Sequence, residues 1–308
     1  MRPLLVGDLC ADLILPYGEV LKSLKTIKDG NFKKNDVIFK HGGTIGNTSS
    51  IMARLDDHPL FVTDLCADNI GIALKDALEE EGVDMSYANY GNHGAMVCIA
   101  VVDENGERIM FPWLPPGADY PSFTKDSFTS VKEDENYYLL SGGMVVTDNL
   151  ASVNAFIDFY KERKLKGDVT LFDINARIET YGLNKERKEL FNHILSSTDI
   201  IIGSGIDEFG PLTSCDTLLD AIKSFGKDKV IIARDGANDV LLNDHGNISF
   251  IPTEKVKPIS TLGAGDMFNG FFLHALIKGF DYQKAIQYAN HYVAYMISNE
   301  NPILLTNE

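Results

Sequence analysis

From Tyr137 to Ser298 the chain alternates short apolar runs with longer amphipathic stretches, and this alternation constrains its fold most. Tyr137–Leu140, Val169–Asp173, Ile200–Ile202 and Lys229–Ala233 have the length and residue types of buried strands. Leu150–Arg163, Lys185–Leu195 and Cys215–Phe225 carry helical patterns between and around them. Strands separated by helices imply βαβ units and a mostly parallel sheet covered on both faces. Val240–Leu242 and Ile248–Ile251 read as a hairpin, and two helices, about Ala264–Lys278 and Tyr282–Ser298, close the chain.

The amino-terminal part is less regular. Leu4–Val6 reads as a buried strand that Leu13–Leu15 continue, with a polar turn at Gly7-Asp8. A charged stretch, Lys22–Lys40, contains Gly30-Asn31 as a turn. His41-Gly42-Gly43 then opens a helix over about Thr44–Leu55, Leu60–Thr63 is a strand, and a helix from Asn69 stops at Gly82. Ala95–Val102 and Arg108–Trp113 flank Asn105-Gly106, a strong hairpin signal. The segments at about 12–41 and 94–113 break the βα rhythm and are expected to form a small separate sheet, a lid, over one edge of a single domain spanning 1–308.

Composition narrows the function. The 308 residues include 28 Lys plus Arg against 44 Asp plus Glu, a formal charge of -16. Such a chain repels nucleic-acid phosphates, so no nucleic-acid partner is expected; a local basic pocket for a small anion remains compatible. The cysteines Cys10, Cys66, Cys98 and Cys215 are far apart and form no Cys-x-x-Cys pair. This argues against a zinc site or a secreted disulfide framework. No apolar run approaches the roughly 18 residues of a membrane span, and Asp8 and Asp12 interrupt the apolar start. A cytoplasmic protein without a membrane partner is the expectation.

The most informative segment is Ser260-Thr261-Leu262-Gly263-Ala264-Gly265-Asp266-Met267-Phe268-Asn269-Gly270. A Gly-x-Gly turn leads into a helix whose Phe268, Phe271 and Phe272 read as core. The N–H groups of Gly263, Ala264 and Gly265 are placed to converge on an anion at the positive end of the helix dipole. Asp266 falls in the first turn. It either caps the helix or takes a proton from a hydroxyl that attacks a phosphoryl group, and spacing alone leaves both open.

Gly263-Ala264-Gly265-Asp266, followed by Phe268 and preceded by a Thr, resembles the carboxy-terminal signature of the ribokinase-like (PfkB) carbohydrate kinases. Gly42-Gly43-x-x-x-Asn47 resembles their amino-terminal signature, and Asp12 matches an early substrate-binding aspartate. Gly71, Gly82-Val83-Asp84 and Gly106-Glu107-Arg108 add minor matches in order. Asp173-x-Asn175-x-Arg177 is similar to a segment of the fructokinase and 2-keto-3-deoxygluconate kinase branch. The resemblance implies a three-layer α/β/α fold with a mostly parallel central sheet and a β lid. It implies an ATP-dependent kinase that phosphorylates a hydroxymethyl group of a sugar or sugar acid. Asp12, Gly42, Gly43 and Asn47 would bind the acceptor, and Arg177 the acceptor or a phosphate. Asp266 would be the general base, with the Gly263, Ala264 and Gly265 amides as anion hole. Thr261, Arg234, Gly236 and Asn290 would lie on the nucleotide side, and Glu208 would serve Mg²⁺. As in several relatives, two lids would pair in a homodimer.

Three departures fall on the donor side. Ser260 stands where the family has Asp or Asn, so the resemblance leaves dependence on a monovalent cation open. Gly205 replaces the Asn of Asn-x-x-Glu. Arg234-Asp235-Gly236 keeps only the first glycine of Thr-x-Gly-x-x-Gly, and Arg234 either contacts phosphate or pairs with Asp235. These changes keep two alternatives open: a catalytically weak sugar or nucleoside sensor, and a nucleoside kinase with an apolar acceptor pocket. Met96, Cys98 and Trp113 are candidate lid residues for such a pocket.

Overall fold

The computed structural model describes residues 1–16, 36–102, 108–115 and 119–299. The Gly30-Asn31 and Asn105-Gly106 turns, and Gly106-Glu107 of the minor match, lie outside these residues. In the amino-terminal part, β1 (Arg2–Val6), β2 (Cys10–Pro16) and β3 (Ile38–Gly42) precede α1 (Thr44–Arg54). Then come β4 (Leu60–Val62), β5 (Asp64–Cys66), α2 (Asn69–Glu81), β6 (Asn89–Gly91), β7 (Val97–Val102) and β8 (Arg108–Trp113). The alternating part runs β9 (Tyr137–Gly142), α3 (Leu150–Lys166), β10 (Val169–Asp173), α4 (Ile178–Tyr181), α5 (Lys185–Ser196) and β11 (Ile200–Ser204). It ends with α6 (Gly205–Thr213), α7 (Leu218–Ser224), β12 (Val230–Arg234), β13 (Val240–Asp244), β14 (Asn247–Ile251), α8 (Ala264–Ile277) and α9 (Tyr282–Ser298).

The main sheet has the order β14-β13-β12-β11-β10-β9-β1-β4. It is parallel from β12 to β4, and β12, β13 and β14 form an antiparallel edge. The apolar runs explain why both faces are covered. Successive side chains of a strand point to opposite faces. Leu5, Leu140, Leu171, Ile200, Ile202 and Ile232 therefore join the core shared with α1, α2, α8 and α9. Leu4, Leu139, Phe172, Ile201 and Ile231 join the core on the other face, with α3, α5, α6 and α7. Phe268, Phe271 and Phe272 of α8 are buried as core, as the helical spacing predicts.

Helix ends follow local chemistry. Asp68 accepts from the N–H groups of Ile70 and Gly71 at the start of α2, and Gly82 ends it in the left-handed conformation. The C-terminal end of α3 is fixed by the buried Arg163, whose Nε donates to Asp168 Oδ2 at 2.7 Å.

Leu13–Leu15 do not continue β1. Both edges of β1 are already paired, with β4 and β9, and the Gly7-Asp8 turn sends the chain into a second sheet. That sheet has the order β3-β2-β7-β8, with β2 and β7 parallel and its outer pairs antiparallel. Its register gives it two faces of different use. Phe39, Leu13, Ile99 and Phe111 form one row across the strands, and Lys40, Asp12, Cys98 and Pro112 form a row on the opposite face.

The helix expected over Cys215–Phe225 is the shorter α7, and a further helix, α6, precedes it. The Thr217 hydroxyl accepts from Asp220 N–H and starts α7, while α6 was hidden by Gly205, Gly210 and Pro211, all poor helix formers. β5 and β6 pair in a two-stranded sheet too short for a periodic signal. Among the described residues, no helix is long and apolar enough to cross a membrane.

Candidate active site

A cavity of about 580 Å³ opens at the C-terminal ends of the main-sheet strands, beneath the small sheet. In open α/β sheets ligands bind at this end, because the turns after the strands and the following helix N-termini converge there.

One side of the cavity is built by β1, β2 and α1. Asp8, just past β1, accepts from Thr44 N–H at 2.8 Å and Ile45 N–H at 3.3 Å, which caps α1. Burial pushes its carboxyl up, and those two hydrogen bonds oppose the shift. Gly43 has φ +89, and a Cβ there would meet the Asp8 carbonyl oxygen at 2.8 Å. Glycine is thus required at this junction. A Cβ on Gly42 would come within 2.4 Å of the Asp12 carboxylate. Asp12 accepts from Cys10 Sγ at 3.3 Å, and burial also raises its carboxyl. Asn175 (φ 29) and Arg177 (φ 46) both hold positive φ on the turn after β10. Non-glycine residues in that region carry strain, which is common at functional turns. Arg177 is exposed at the cavity mouth.

The roof differs from the floor. Met96, Cys98, Met110 and Pro112 come from β7, β8 and the turn before β7, and Cys10 and Met144 add further sulfur to the wall. Trp113 does not line the cavity; it lies on the outer face of the small sheet and is 62% exposed.

At the opposite end of the cavity, α8 starts at Ala264 behind Gly263, whose φ is +72. Asp266 lies in the first helical turn. Its Oδ2 accepts from Asn47 Nδ2 at 2.8 Å, and Thr48 Oγ1 donates to its carbonyl at 3.2 Å. Burial pushes the Asp266 carboxyl from 3.8 up to about 7; the Asn47 hydrogen bond and the Arg234 charge act in the opposite direction. Asp266 does not cap the helix: the cap position is Gly263, no side-chain cap hydrogen bond forms there, and the Asp266 carboxylate is engaged by Asn47 instead. The expectation of a convergent amide row needs one correction. Ala264 N–H donates to the Thr261 carbonyl at 3.2 Å in a tight turn, which leaves Gly263 and Gly265 N–H without a protein acceptor among the described residues.

The remaining predicted residues fall in two groups. Thr261, Glu208 and Arg234 line the same cavity. Glu208 Oε2 accepts from Ser204 N–H at 2.7 Å, and burial with the nearby Asp173 charge pushes its carboxyl up to about 7. Gly236, in the turn after β12, and Asn290 lie outside the cavity; Asn290 Nδ2 donates to the Pro252 carbonyl at 3.2 Å. Arg234 does not pair with Asp235. Its Nη2 donates to Asp173 Oδ1 at 2.8 Å, because the ends of β10 and β12 flank β11 and both side chains point into the cavity.

Sequence reasoning missed Asp8 as a site residue and the joint role of Asp173 and Asn269. Asn269 Nδ2 donates to Asp173 Oδ2 at 2.7 Å in the buried layer below the cavity. A charged residue closing an apolar strand, as Asp173 and Arg234 both do, was the available signal.

A model of the pfkB family carbohydrate kinases matches residues 4–307. The chain is 28% identical over 273 residues to aminoimidazole riboside kinase of Salmonella typhimurium, covering 87% of this chain and 82% of that protein. It is 25% identical over 262 residues to 2-dehydro-3-deoxygluconokinase of Escherichia coli K12, covering 80% and 84%. The structure of fructokinase from Vibrio cholerae O395, in its fructose, ADP and calcium ion bound form, matches with a TM-score of 0.80 at 19% identity, covering 99% of this chain and 96% of that one. At that identity the likeness establishes the fold.

Proposed function

The chain belongs to the pfkB family of carbohydrate kinases, and on that premise we propose that Asp266 is the general base of ATP-dependent phosphoryl transfer to a hydroxymethyl group of a sugar or sugar acid. The observation that carries this reading is the state of Asp266. A half-buried carboxylate whose pKa is pushed up to about 7 by desolvation, oriented by Asn47 and set beside unpartnered amides, suits proton transfer at physiological pH. The acceptor oxygen attacks the γ-phosphorus as its proton passes to Asp266. The bond from that phosphorus to the bridging oxygen breaks, and ADP leaves. Gly263 and Gly265 N–H groups, with Ala264 N–H shared with Thr261, stabilise charge on the transferring group. Asp12, Gly42, Gly43 and Asn47 hold the acceptor, and Arg177 meets its outer end. Thr261, Arg234, Gly236 and Asn290 serve the nucleotide side.

Mg²⁺ fits the donor set. Glu208 offers a hard carboxylate oxygen in the cavity wall, and the negative charge it shares with nearby Asp173, itself held by Arg234 and Asn269, is what a divalent cation would relieve. When bound with ATP, the ion neutralises phosphate charge. The apolar outer face of the small sheet, where Phe39, Phe111 and Trp113 are exposed, supports a homodimer through paired lids. Free thiols at Cys10, Cys66, Cys98 and Cys215 suit a reducing cytoplasm.

The roof of Met96, Cys98, Met110 and Pro112 favours a second reading, in which the acceptor is a riboside. Soft sulfur side chains pack well against an unsaturated ring. The test is ADP release from Mg-ATP over a panel of pentoses, hexoses, sugar acids and ribosides, with Asp266→Asn alongside. Turnover on one acceptor, lost in the variant, supports the base and names the acceptor class. Equal turnover by the variant removes Asp266 from the role.

A further inference from the structure

Arg234 is the most heavily engaged cation of the cavity wall. Besides Asp173, its Nη1 donates to the Gly265 carbonyl at 2.7 Å and to Asn269 Oδ1 at 3.3 Å, and its Nε to the Gly203 carbonyl at 3.4 Å. The guanidinium therefore joins the ends of β10, β11 and β12 to the first turn of α8. Its contact with that turn is close. A Cβ on Gly265 would meet Nη1 at 2.9 Å, so the absence of a side chain at Gly265 is what admits the guanidinium. Its aim is fixed from behind, because Asp173, 2% exposed, is itself held by Asn269.

The charge setting makes this arrangement more than a packing feature. Asp8, Asp12, Glu208 and Asp266 all bring negative charge to the cavity, where a polyanionic donor must enter. Arg177 is exposed, whereas the Arg234 side chain is only 12% exposed and sits directly behind the anion-facing turn. A cation in a water-poor site acts on nearby charge more strongly than one in solvent. Accepting from a guanidinium also polarises the Gly265–Asp266 peptide.

We propose that Arg234, clamped by Asp173 and Asn269, is a positioning residue for phosphoryl transfer: it fixes the Gly265 peptide, and with it the anion-binding turn, in the geometry the transferring group needs. This inference rests on the kinase reading above. The arginine thus acts through the turn it supports, and the donor-side substitution at this position is a replacement of function by different means.

The experiment uses the full chain, with wild type assayed first over the acceptor panel. Arg234→Ala is expected to lower kcat by about 100-fold, the scale of a lost anion-hole donor or a misplaced reacting group, with acceptor KM changed less than about threefold. Guanidinium at tens of millimolar is expected to restore at least about tenfold of that loss, which a merely misfolded variant would not show. Arg234→Lys is expected to stay low, since one ammonium cannot reproduce the planar fork. Asp173→Asn keeps the cation but weakens its clamp, and is expected to lower kcat even where Arg234→Ala fails to fold. The inference is overturned by Arg234→Ala or Asp173→Asn with kcat within about threefold of wild type, or by a loss confined to acceptor KM. Absence of wild-type turnover on every acceptor overturns the kinase reading and this inference with it.

Discussion

Asn47 Nδ2 donates to Asp266 Oδ2 at 2.8 Å, a contact between residues 219 positions apart that joins the first turn of α1 to the first turn of α8. One amide thus links the proposed acceptor side of the cavity to the proposed base. The bond favours the ionised carboxylate and opposes the shift that burial imposes. Asn47→Ala is expected to move the acidic limb of the kcat/KM profile upward by roughly half to one pH unit, as loss of about 1 kcal/mol dictates. An unmoved limb would show that Asn47 serves only the acceptor.

Asp266→Asn preserves shape and the Asn47 contact while removing the proton acceptor. Loss of general-base catalysis is expected to lower kcat by about 10²- to 10⁴-fold with little change in acceptor KM. Steady-state ADP release checks this, and a loss carried by KM alone counts against the assignment.

The pH dependence has a sign for both rate and stability. With the Asp266 carboxyl near 7, kcat/KM is expected to fall as pH drops below about 7. Between about pH 4 and 7 the folded chain keeps a proton here that the unfolded chain has released, so this group's contribution to stability declines as pH rises through that window. Asp266→Asn escapes the cost of a buried charge. Its Tm is expected to exceed that of wild type by about 2 °C or more at pH 8, with a smaller gap at pH 5. Calorimetry at the two pH values decides it.

Gly42→Ala places a methyl group where the Asp12 carboxylate now sits, 2.4 Å away. Asp12 must turn aside, so acceptor KM is expected to rise at least about tenfold while nucleotide KM stays within about twofold. An equal effect on both substrates would mean that the whole cavity had been disturbed.

Arg163 and Asp168 form a buried pair at the end of α3, remote from the cavity. Arg163→Ala strands the Asp168 charge and is expected to cost about 3–5 kcal/mol of stability. Below its unfolding temperature the variant is expected to keep wild-type kcat. Urea denaturation and the kinase assay together test that separation of folding from chemistry.

What could be seen in the residues depended on the range of the forces involved. The strands from Tyr137 to Arg234 were legible because burial on both faces demands continuous apolar runs, and α2 because Asp68 and Gly82 mark its ends. The Gly263–Asp266 turn and the Gly43 junction announced themselves through glycine. The departure of β2 from the main sheet was not legible, since it reflects the filling of both edges of β1 by distant strands. Arg234 offered Asp235 as a local partner in sequence and does not pair with it. Its partner Asp173 is 61 residues away and is brought near only by the strand order. Likewise Met96, Cys98 and Trp113 were equal candidates for the lid interior until the register put Trp113 on the outer face.

The joining of α1 to α8 also bears on how the protein comes into being on the ribosome. The residues of β1, β2 and α1 that line the cavity emerge first, but Asn47 then waits for its partner, the proposed base, which is synthesised only at position 266. A growing chain stopped anywhere before α8 lacks the proposed base and the turn that precedes it. On the kinase reading, phosphoryl transfer is therefore withheld until α8 has been made, and products terminated before it are expected to be inert toward ATP.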